Sequence, residues 1–399
     1  MQGRSISKLA IMGAVGALAL AACSNSSTGG GLASGGPSGG TAATQTYKIG
    51  FQGPLSGDNQ QLGINEVNAV ELAVSQANAT GNLGFKLVLV KADDVGSPAT
   101  APAAAQTLIQ DPEVVGVVGP SFSGATKAVG ANYAAAGIAL ITPSATNPTL
   151  SSLGFTTFHR IVPSDNVEGT QAADWLAVKG LKKVFVVDDL SDYGKGVADA
   201  IQKELTAKGV TVTRQGVDSK TTDYGAIAQT VATSGAGALF YGGYDAQAAL
   251  FAKALKTAGY KGLTVTGNGG KSSVFTKGAG DAGNGWYFTC GCLDATVAPG
   301  AKAFNDAYTA MFNTPSSTYS PEAYDATNAM IAAMKAAKAA GGITRSSVET
   351  AVNGLDYHGI TTEVKFESNG EVVATVQTVN LYQQTSGVIS LIGNIKDQK

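Results

Sequence analysis

The stretch from Val114 to Pro148 places the strongest constraint on the fold of this chain. It contains two short apolar runs, Val114–Gly119 and Ile138–Thr142, separated by a segment of small residues that ends near Ala136. Apolar runs of this length without polar alternation are typical of strands covered on both faces, as in a parallel sheet. The segment between them suits a helix. The stretch therefore predicts a strand–helix–strand unit of an α/β fold.

Each of these two strands runs into a turn rich in hydroxyl groups. The first is followed by Pro120–Gly124 (PSFSG) and the second by Pro143–Pro148 (PSATNP). Ligands of open α/β sheets bind beyond the carboxyl ends of the strands, and a helix beginning at Ser123 offers free backbone N–H groups to an anion. For one such turn alone, helix capping and turn formation explain the hydroxyls equally well. Two on successive strands favour a ligand site.

The same alternation of strand and helix extends along most of the chain. It runs from a strand at Lys48–Phe51, through a helix beginning at Ser97-Pro98, to about residue 150, and it restarts near Val167 and continues to about Gly270. Such alternation indicates parallel sheets with helices on both faces. Helices and two strands, Thr361–Phe366 and Val372–Val379, follow. The sequence thus predicts two doubly wound α/β lobes, with a ligand cleft between them.

The N-terminal segment reads as a targeting sequence. Arg4 and Lys8 precede the short apolar core Ile11–Leu20, and Ala21-Ala22-Cys23 follows. Small residues before a cysteine resemble the lipobox of bacterial lipoproteins, in which that cysteine is lipidated. The alternative is an ordinary signal peptide with an incidental cysteine. We predict a signal peptide over residues 1–22 and a lipidated Cys23 followed by a flexible Ser/Gly-rich tether to residue 46, which would anchor the protein to the outer side of the cell membrane.

Charge and cysteine content exclude several other functions. The formal net charge is −2 and only 14% of residues are charged, which is not the footprint of a nucleic-acid-binding protein. The chain has two histidines and no second cysteine pair beside Cys290 and Cys292, so the sequence predicts no metal site. The two cysteines form either a local disulfide, which we favour, or two free thiols.

Catalytic patterns are nearly absent from the sequence. His159 and His358 are isolated, and no GxSxG nucleophile elbow occurs. The segment Gly269–Ser272 matches the final Gly-Lys-Ser of a phosphate-binding (Walker A) loop, but Val265 stands where the first glycine of that motif is required. We therefore predict binding without turnover and no cofactor.

From about Tyr47 onward, the chain resembles the substrate-binding proteins of branched-chain amino-acid ABC importers. The segments that carry the resemblance are Gly53–Gly57, Asp93-Asp94, Gly119–Ser123, Thr142–Pro148, Asp192–Gly194 and Tyr241–Tyr244. This resemblance implies the type I periplasmic-binding-protein fold, with three crossings between lobes, near Pro163, Cys290 and Phe366. The first lobe would comprise residues 47–163 plus 290–365, and the second 164–289 plus 366–399.

The resemblance also implies roles for individual residues. Ser123 and Thr146 would hold a ligand carboxylate. The Ser144 carbonyl would face an amino group, with Thr146 assisting, and Tyr193 and Tyr244 would close over the ligand from the second lobe. The full set of candidate ligand-binding residues is Ser121, Ser123, Ser144, Ala145, Thr146, Tyr193, Tyr244, Asp245, Asn268 and Gly269.

Two departures from the family pattern leave the ligand open. Gly269, with Asn268 beside it, stands where relatives carry an acidic partner for the α-ammonium, and Gln60–Leu62 replaces an aromatic residue in the first loop. Asp245 is a candidate replacement for the acid. We expect a monomer that delivers a branched-chain or other small amino acid to an ABC permease. The alternatives are a solute without an α-ammonium (a small carboxylate, an amide, a urea-like solute or an aromatic acid) and a ligand sensor.

Overall fold

A computed structural model describes residues 44–398, and two β-sheets divide this part of the chain into two lobes. We call the lobe built on the five-stranded sheet the first lobe and the lobe built on the seven-stranded sheet the second lobe. The predicted signal peptide, Cys23 and nearly all of the tether lie outside the described residues. Within residues 44–398, none of the helices combines the length and the apolar character needed to cross a bilayer.

The first lobe is a parallel sheet in the order β2-β1-β3-β4-β5, covered by helices from both early and late parts of the chain. Its strands are β1 (Thr46–Gly53), β2 (Lys86–Asp93), β3 (Val114–Val118), β4 (Ala139–Thr142) and β5 (Phe158–Arg160). Its helices are α1 (Gln60–Ala79), α2 (Ala101–Ile109), α3 (Ser123–Ala135), α9 (Lys302–Phe312), α10 (Ser320–Ala339) and α11 (Arg345–Asn353). Every residue of β3 is buried, because helices lie on both faces of the sheet.

The second lobe repeats this architecture with an antiparallel extension. Its strands are β6 (Lys183–Asp188), β7 (Thr211–Gly216), β8 (Ala238–Gly242), β9 (Leu263–Thr266), β10 (Tyr287–Cys290), β13 (Asn380–Thr385) and β14 (Val388–Asn394), in the order β14-β13-β10-β9-β8-β6-β7. Its helices are α4 (Asp165–Val178), α5 (Asp192–Ala207), α6 (Gly225–Thr233), α7 (Asp245–Thr257) and α8 (Ser273–Ala279). Strands β6 to β10 pair in parallel, and β13 and β14 pair antiparallel. The predicted pair of α/β lobes is confirmed.

The chain passes between the lobes at three places. It leaves the first sheet after β5, leaves the second sheet after β10, and returns to the second sheet at β13. Between α11 and β13, the small ladder of β11 (Tyr357–His358) and β12 (Glu363–Val364) is followed by Glu371, which bridges to Arg160 at the edge of the first sheet. Two of the passages touch each other, because a Cβ built on Gly291 would lie 2.6 Å from the Pro163 ring.

Two predicted elements differ from the structure. Helix α2 begins at Ala101 and not at Ser97-Pro98, because residues 97–100 form turns in which Ser97 Oγ accepts from the Ala99 N–H. The predicted strand Val372–Val379 is wrong, since residues 374–376 form a 3₁₀ turn. The hairpin β13–β14 lies beyond it, and its two-residue turn, Ser386-Gly387, has positive φ at both positions. This is the geometry of a type I′ turn.

Helices α4 and α5 meet at a glycine, and this contact yields a test of the packing. A Cβ built on Gly169 would lie 2.6 Å from Ala200 Cβ and 3.2 Å from the Ile201 backbone nitrogen. We expect Gly169→Ala to lower the free energy of unfolding by about 1–3 kcal/mol, because backbone has to move. Gly225→Ala, on the exposed first turn of α6, is the control and should stabilise by up to about 1 kcal/mol. Chemical denaturation measures both; equal effects would contradict the packing argument.

Candidate functional site

The candidate site lies where the two lobes meet at the carboxyl ends of their strands. Phe122, before α3, stacks on Tyr244, before α7, with ring centroids 4.2 Å apart. Tyr193 lies against the same tyrosine at 5.2 Å. Asn147 Nδ2 donates to the Asp192 carbonyl over 2.5 Å, across the lobes. These contacts shield the predicted residues from solvent and place them around one interlobe cleft.

Three of the predicted serines bond to the protein itself. Ser121 Oγ donates to Glu66 Oε2 at 2.6 Å, and Ser144 Oγ donates to the Ser121 carbonyl at 2.7 Å. Ser123 Oγ accepts from the Asn147 N–H at 3.1 Å, which leaves its own proton free to donate. The hydroxyls of Ser144 and Ser123 therefore tie the two polar turns together, and the hydroxyl of Ser121 ties the first turn to α1. Ser123 keeps the donor capacity that carboxylate binding requires.

The turn around Thr146 is held by its own carbonyl groups. The Ala145 and Asn147 carbonyls accept from Arg160 Nη1 at 3.0 and 2.8 Å, and the Thr146 carbonyl accepts from the Asp165 N–H at 2.8 Å. None of these donors reaches the Ser144 carbonyl. Thr146 is 2% exposed, and its hydroxyl, although near the Asp165 carboxyl, makes no hydrogen bond of good geometry. The turn therefore presents a buried hydroxyl with unused bonding capacity.

The geometry of the second lobe explains why position 269 carries no acid. Tyr193 Oη accepts from the Gly269 N–H at 3.0 Å. A Cβ built on Gly269 would lie 2.6 Å from the Tyr193 ring and 2.9 Å from the Gly243 carbonyl oxygen. Any side chain at this position would displace Tyr193 or the backbone.

The two polar neighbours of Gly269 in the predicted set are both engaged elsewhere. Asn268 donates from its backbone and side chain to Glu168, at 3.2 and 2.6 Å. Asp245 accepts from Asn59 Nδ2 at 2.7 Å, from the Ala246 N–H at 2.9 Å and from the Ser272 hydroxyl. Because Asn59 belongs to the first lobe, Asp245 contributes a contact between lobes, and its oxygens are not free for a ligand ammonium.

Several residues of the cleft were missed by sequence reasoning. Glu66 Oε1, both carboxylate oxygens of Asp165 and Tyr319 Oη are buried without a hydrogen bond of good geometry among the described residues. Tyr319 also has a φ of 67°, which is rare outside glycine and asparagine. No local motif distinguishes these residues. Only the N-cap pattern Pro163-Ser164 before Asp165 marks that residue as the start of a helix.

Cys290 and Cys292 are joined by a disulfide at the second passage between lobes, and both are buried. The Cys292 carbonyl accepts from Tyr382 Oη at 2.8 Å and from Asn380 Nδ2 at 3.1 Å. A surface hollow of about 250 Å³ lies near this passage and is lined by Lys271 and Thr318 among others. None of the predicted ligand-binding residues lines it.

The cleft concentrates acidic groups whose ionisation is suppressed. Burial raises the pKa of Glu66 to about 8 and that of Glu168 to about 7, although hydrogen-bond donors oppose the shift in both. Burial also raises the pKa of Asp165 well above its ordinary value. At pH values between the pKa of such an acid in the unfolded state and its higher pKa in the folded state, the unfolded state binds fewer protons than the folded state. Stability therefore falls as pH rises through this window.

We expect Glu66→Gln to reduce this loss of stability. The amide keeps an acceptor for Ser121 and cannot ionise, so the fall in the free energy of unfolding between about pH 5 and about pH 8.5 should become smaller. Thermal denaturation across this pH range measures the effect. Glu71→Gln, at a partly exposed position on the same helix, is the control. An unchanged pH dependence in Glu66→Gln would contradict the assignment.

Comparisons with known proteins agree with this architecture. Residues 46–387 match the family described as Periplasmic binding protein. A Leu/Ile/Val-binding protein of Rhizobium johnstonii is 31% identical over 86% of this chain and 92% of its own length. A branched-chain amino acid transporter substrate-binding protein of Streptococcus pneumoniae, solved with isoleucine, is 28% identical, with a TM-score of 0.79 over 88% of this chain and 100% of that one.

A third comparison extends the fold to a different ligand. An ABC-transporter solute-binding protein of R. palustris, solved with benzoate, has a TM-score of 0.78 at 20% identity over 88% of this chain and 96% of that one. Family membership implies a location outside the cytoplasm. The match along nearly the whole described chain, together with the two-lobed α/β architecture, shows that this chain belongs to the periplasmic binding protein family and has its type I fold.

Proposed function

We propose that this protein captures a small amino acid, of the branched-chain class or close to it, between its two lobes and delivers it to an ABC permease. The observation that carries the proposal is the set of buried polar atoms without partners where the lobes meet, above all Thr146 Oγ1 and Tyr319 Oη. Burying polar groups without partners is costly, and a polar ligand removes that cost.

The first lobe supplies the features that suit a carboxylate. The N-terminal turn of α3 offers backbone N–H groups without intrahelical acceptors, and the Ser123 hydroxyl has a proton to donate. The Thr146 hydroxyl lies on the neighbouring turn, to which Ser123 is bonded through the Asn147 N–H. Donors from two adjacent strand ends therefore converge on one side of the cleft.

Aromatic side chains form the other walls. Tyr244 contacts Phe122 on one side and Tyr193 on the other, with ring centroids 4.2 and 5.2 Å away. A wall of this composition suits the apolar side chain of a small amino acid and still offers hydroxyl groups for hydrogen bonds.

We also propose the arrangement of the protein at the cell surface. The signal peptide 1–22 is removed, Cys23 is lipidated, and the following tether holds a monomeric two-lobed domain at the membrane. The lobes close by bending at the three passages between them, and closure completes the site. The contact between the Pro163 ring and Gly291 joins the first and second passages, and the disulfide lies at the second. Both features support this arrangement.

A solute without an ammonium group is the second candidate class. Gly269 provides no charge, and the benzoate-bound neighbour shows that this fold accommodates an aromatic acid. A ligand sensor with the same fold would bind the same compounds and signal to a partner protein instead of feeding a permease.

Calorimetry against a panel of small solutes tests the proposed function. We expect binding of at least one of leucine, isoleucine, valine, alanine and threonine, because the cleft joins carboxylate donors to an aromatic wall. Acetamide, urea and benzoate represent the alternative class. A higher melting temperature should accompany binding. If no compound of the panel binds or shifts the melting temperature, the proposed function fails.

Thr146→Val tests where the ligand binds. We expect it to weaken binding of the panel ligand by about 1–3 kcal/mol, because a polar group of the ligand loses its buried partner. The melting temperature without ligand should stay the same or rise, since Thr146 Oγ1 has no good hydrogen bond to lose. Thr211→Val, at an exposed position of β7, is the control. Unchanged affinity in Thr146→Val, measured by calorimetry, would place the ligand elsewhere.

A further inference from the structure

Asp165 is a fully buried acid with both carboxylate oxygens unused. It is the first residue of α4, directly after the first passage between lobes, and it is 0% exposed. Neither oxygen makes a hydrogen bond of good geometry. Its backbone N–H donates to the Thr146 carbonyl at 2.8 Å, so the carboxyl is fixed beside the predicted ligand-binding turn. A buried carboxyl without hydrogen-bond partners is stable only when it is protonated or paired with a positive charge.

The surroundings of Asp165 are the walls of the cleft. Its Oδ2 lies 2.8 Å from the position that a Cβ on Gly196 would take, and Gly196 follows Tyr193 by three residues in α5. The absence of a side chain at Gly196 leaves room for this carboxyl. Asn147 Nδ2 lies 2.8 Å from the same Cβ position. The Asp165 carboxyl therefore lies between the Thr146 turn of the first lobe and α5 of the second lobe.

The other acids of the region are already bonded. Glu168 accepts from Asn268 and from the Thr289 hydroxyl at 2.7 Å, and Asp245 accepts from Asn59, Ser272 and Ala246. Glu66 and Glu322 each have one bonded oxygen, to the Ser121 hydroxyl and to the Leu293 N–H respectively. Asp192 pairs with Lys127 at 2.7 Å. Asp165 is the acid of this group for which neither oxygen has a good hydrogen bond.

We propose that Asp165 holds a primary ammonium group of the ligand, with the Thr146 hydroxyl as its second contact, in place of the acid missing at position 269. The proposal rests on the proposed function and names its substrate class, a solute that carries an ammonium beside a carboxylate. The positions agree with this role, because the hydrogen bond from the Asp165 N–H to the Thr146 carbonyl holds the two residues next to each other, and the polar atoms of both side chains are buried.

The ion pair between Asp165 and a ligand ammonium would make the site selective for ligands that carry an amino group. An ammonium and a carboxylate buried together avoid the large cost that either one has alone. A ligand of the same carbon skeleton without the amino group leaves Asp165 unpaired, and the Thr146 hydroxyl then keeps its contact to the carboxylate but accepts from no ammonium. A site built around buried polar groups rejects such an analogue strongly.

The test compares amino acids with their deaminated analogues. Calorimetry measures the affinities of L-leucine against 4-methylpentanoate, L-valine against 3-methylbutanoate, and L-phenylalanine against 3-phenylpropanoate, for wild type and Asp165→Asn. We expect the wild type to prefer the amino member of the best-binding pair by about 100-fold or more. Asp165→Asn should weaken the amino member by about 30-fold or more and leave the deaminated member nearly unchanged, so that the preference falls below about 10-fold.

Two further variants separate a ligand contact from a structural role. Asp174→Asn, at an exposed position of the same helix, should leave both affinities unchanged. Asp165→Asn should keep the melting temperature of the ligand-free protein, whereas a residue needed only to start α4 would change that temperature and leave the preference intact. Glu168→Gln tests the neighbouring acid; loss of the preference in Glu168→Gln but not in Asp165→Asn would overturn the assignment.

The outcomes distinguish the two levels of the proposal. Equal or tighter binding of the deaminated compounds by the wild type would overturn the ammonium class and leave a solute-binding function in place. An unaltered preference in Asp165→Asn would overturn the role of Asp165 alone. Binding of none of the six compounds or of the wider solute panel would overturn the proposed function, and this inference with it.

Discussion

The buried guanidinium of Arg160 is the interaction on which the rest of the site depends. It is 0% exposed and donates through Nη1 to the carbonyls of Ala145 and Asn147. Its Nε donates to Glu371 at 3.0 Å, and the guanidinium and that carboxylate form an ion pair. Guanidinium remains charged even when buried, and losing one partner of a buried pair costs about 3–5 kcal/mol. The charge therefore fixes the two carbonyls on either side of Thr146.

This arrangement makes the binding turn depend on distant parts of the chain. Glu371 follows β12 and bridges to Arg160 at the edge of the first sheet, so a late segment completes an early turn. Arg160 also acts on the Asp165 carboxyl, where it lowers the pKa against the larger effect of burial. One cation thus orients the backbone of the turn and partly offsets the charge of the acid beside it. A ligand ammonium would complete this compensation.

Local patterns predicted most of the fold and pointed to the turns that form the first-lobe half of the candidate site. The apolar strands β3 and β4 and their hydroxyl-rich turns can be recognised in the sequence, because strand burial and turn formation both depend on the types of residues adjacent in the chain. The hairpin β13–β14 was missed, since Gln383 and Gln384 interrupt its apolar pattern and its turn is Ser-Gly. Tertiary placement accounts for the other misses. Tyr319 enters the cleft from α10, more than a hundred residues beyond Asp165, and no local pattern carries that information.

Tyr193 packs closely over Gly269, the position at which the family resemblance implies an acid. Tyr193 Oη takes the Gly269 N–H, and the ring leaves no space for a Cβ. With Tyr193 in this position, a side chain at residue 269 would clash with its ring, so the proposed ammonium partner lies on another element. Asp165 stands on α4, and a backbone hydrogen bond joins it to Thr146.

The position of Asp165 at the first passage determines which proposed ligand contacts depend on closure of the lobes. Because the Asp165–Thr146 bond lies at the first passage between lobes, both proposed contacts to the ligand head group sit at the base of the cleft. Phe122 and Tyr244 belong to different lobes, so their stacking forms only when the lobes approach each other. The proposed contacts to the head group would therefore need little closure, whereas the aromatic wall is complete only when the lobes meet. Such a division lets the base of the cleft select the class of solute and lets closure select its side chain.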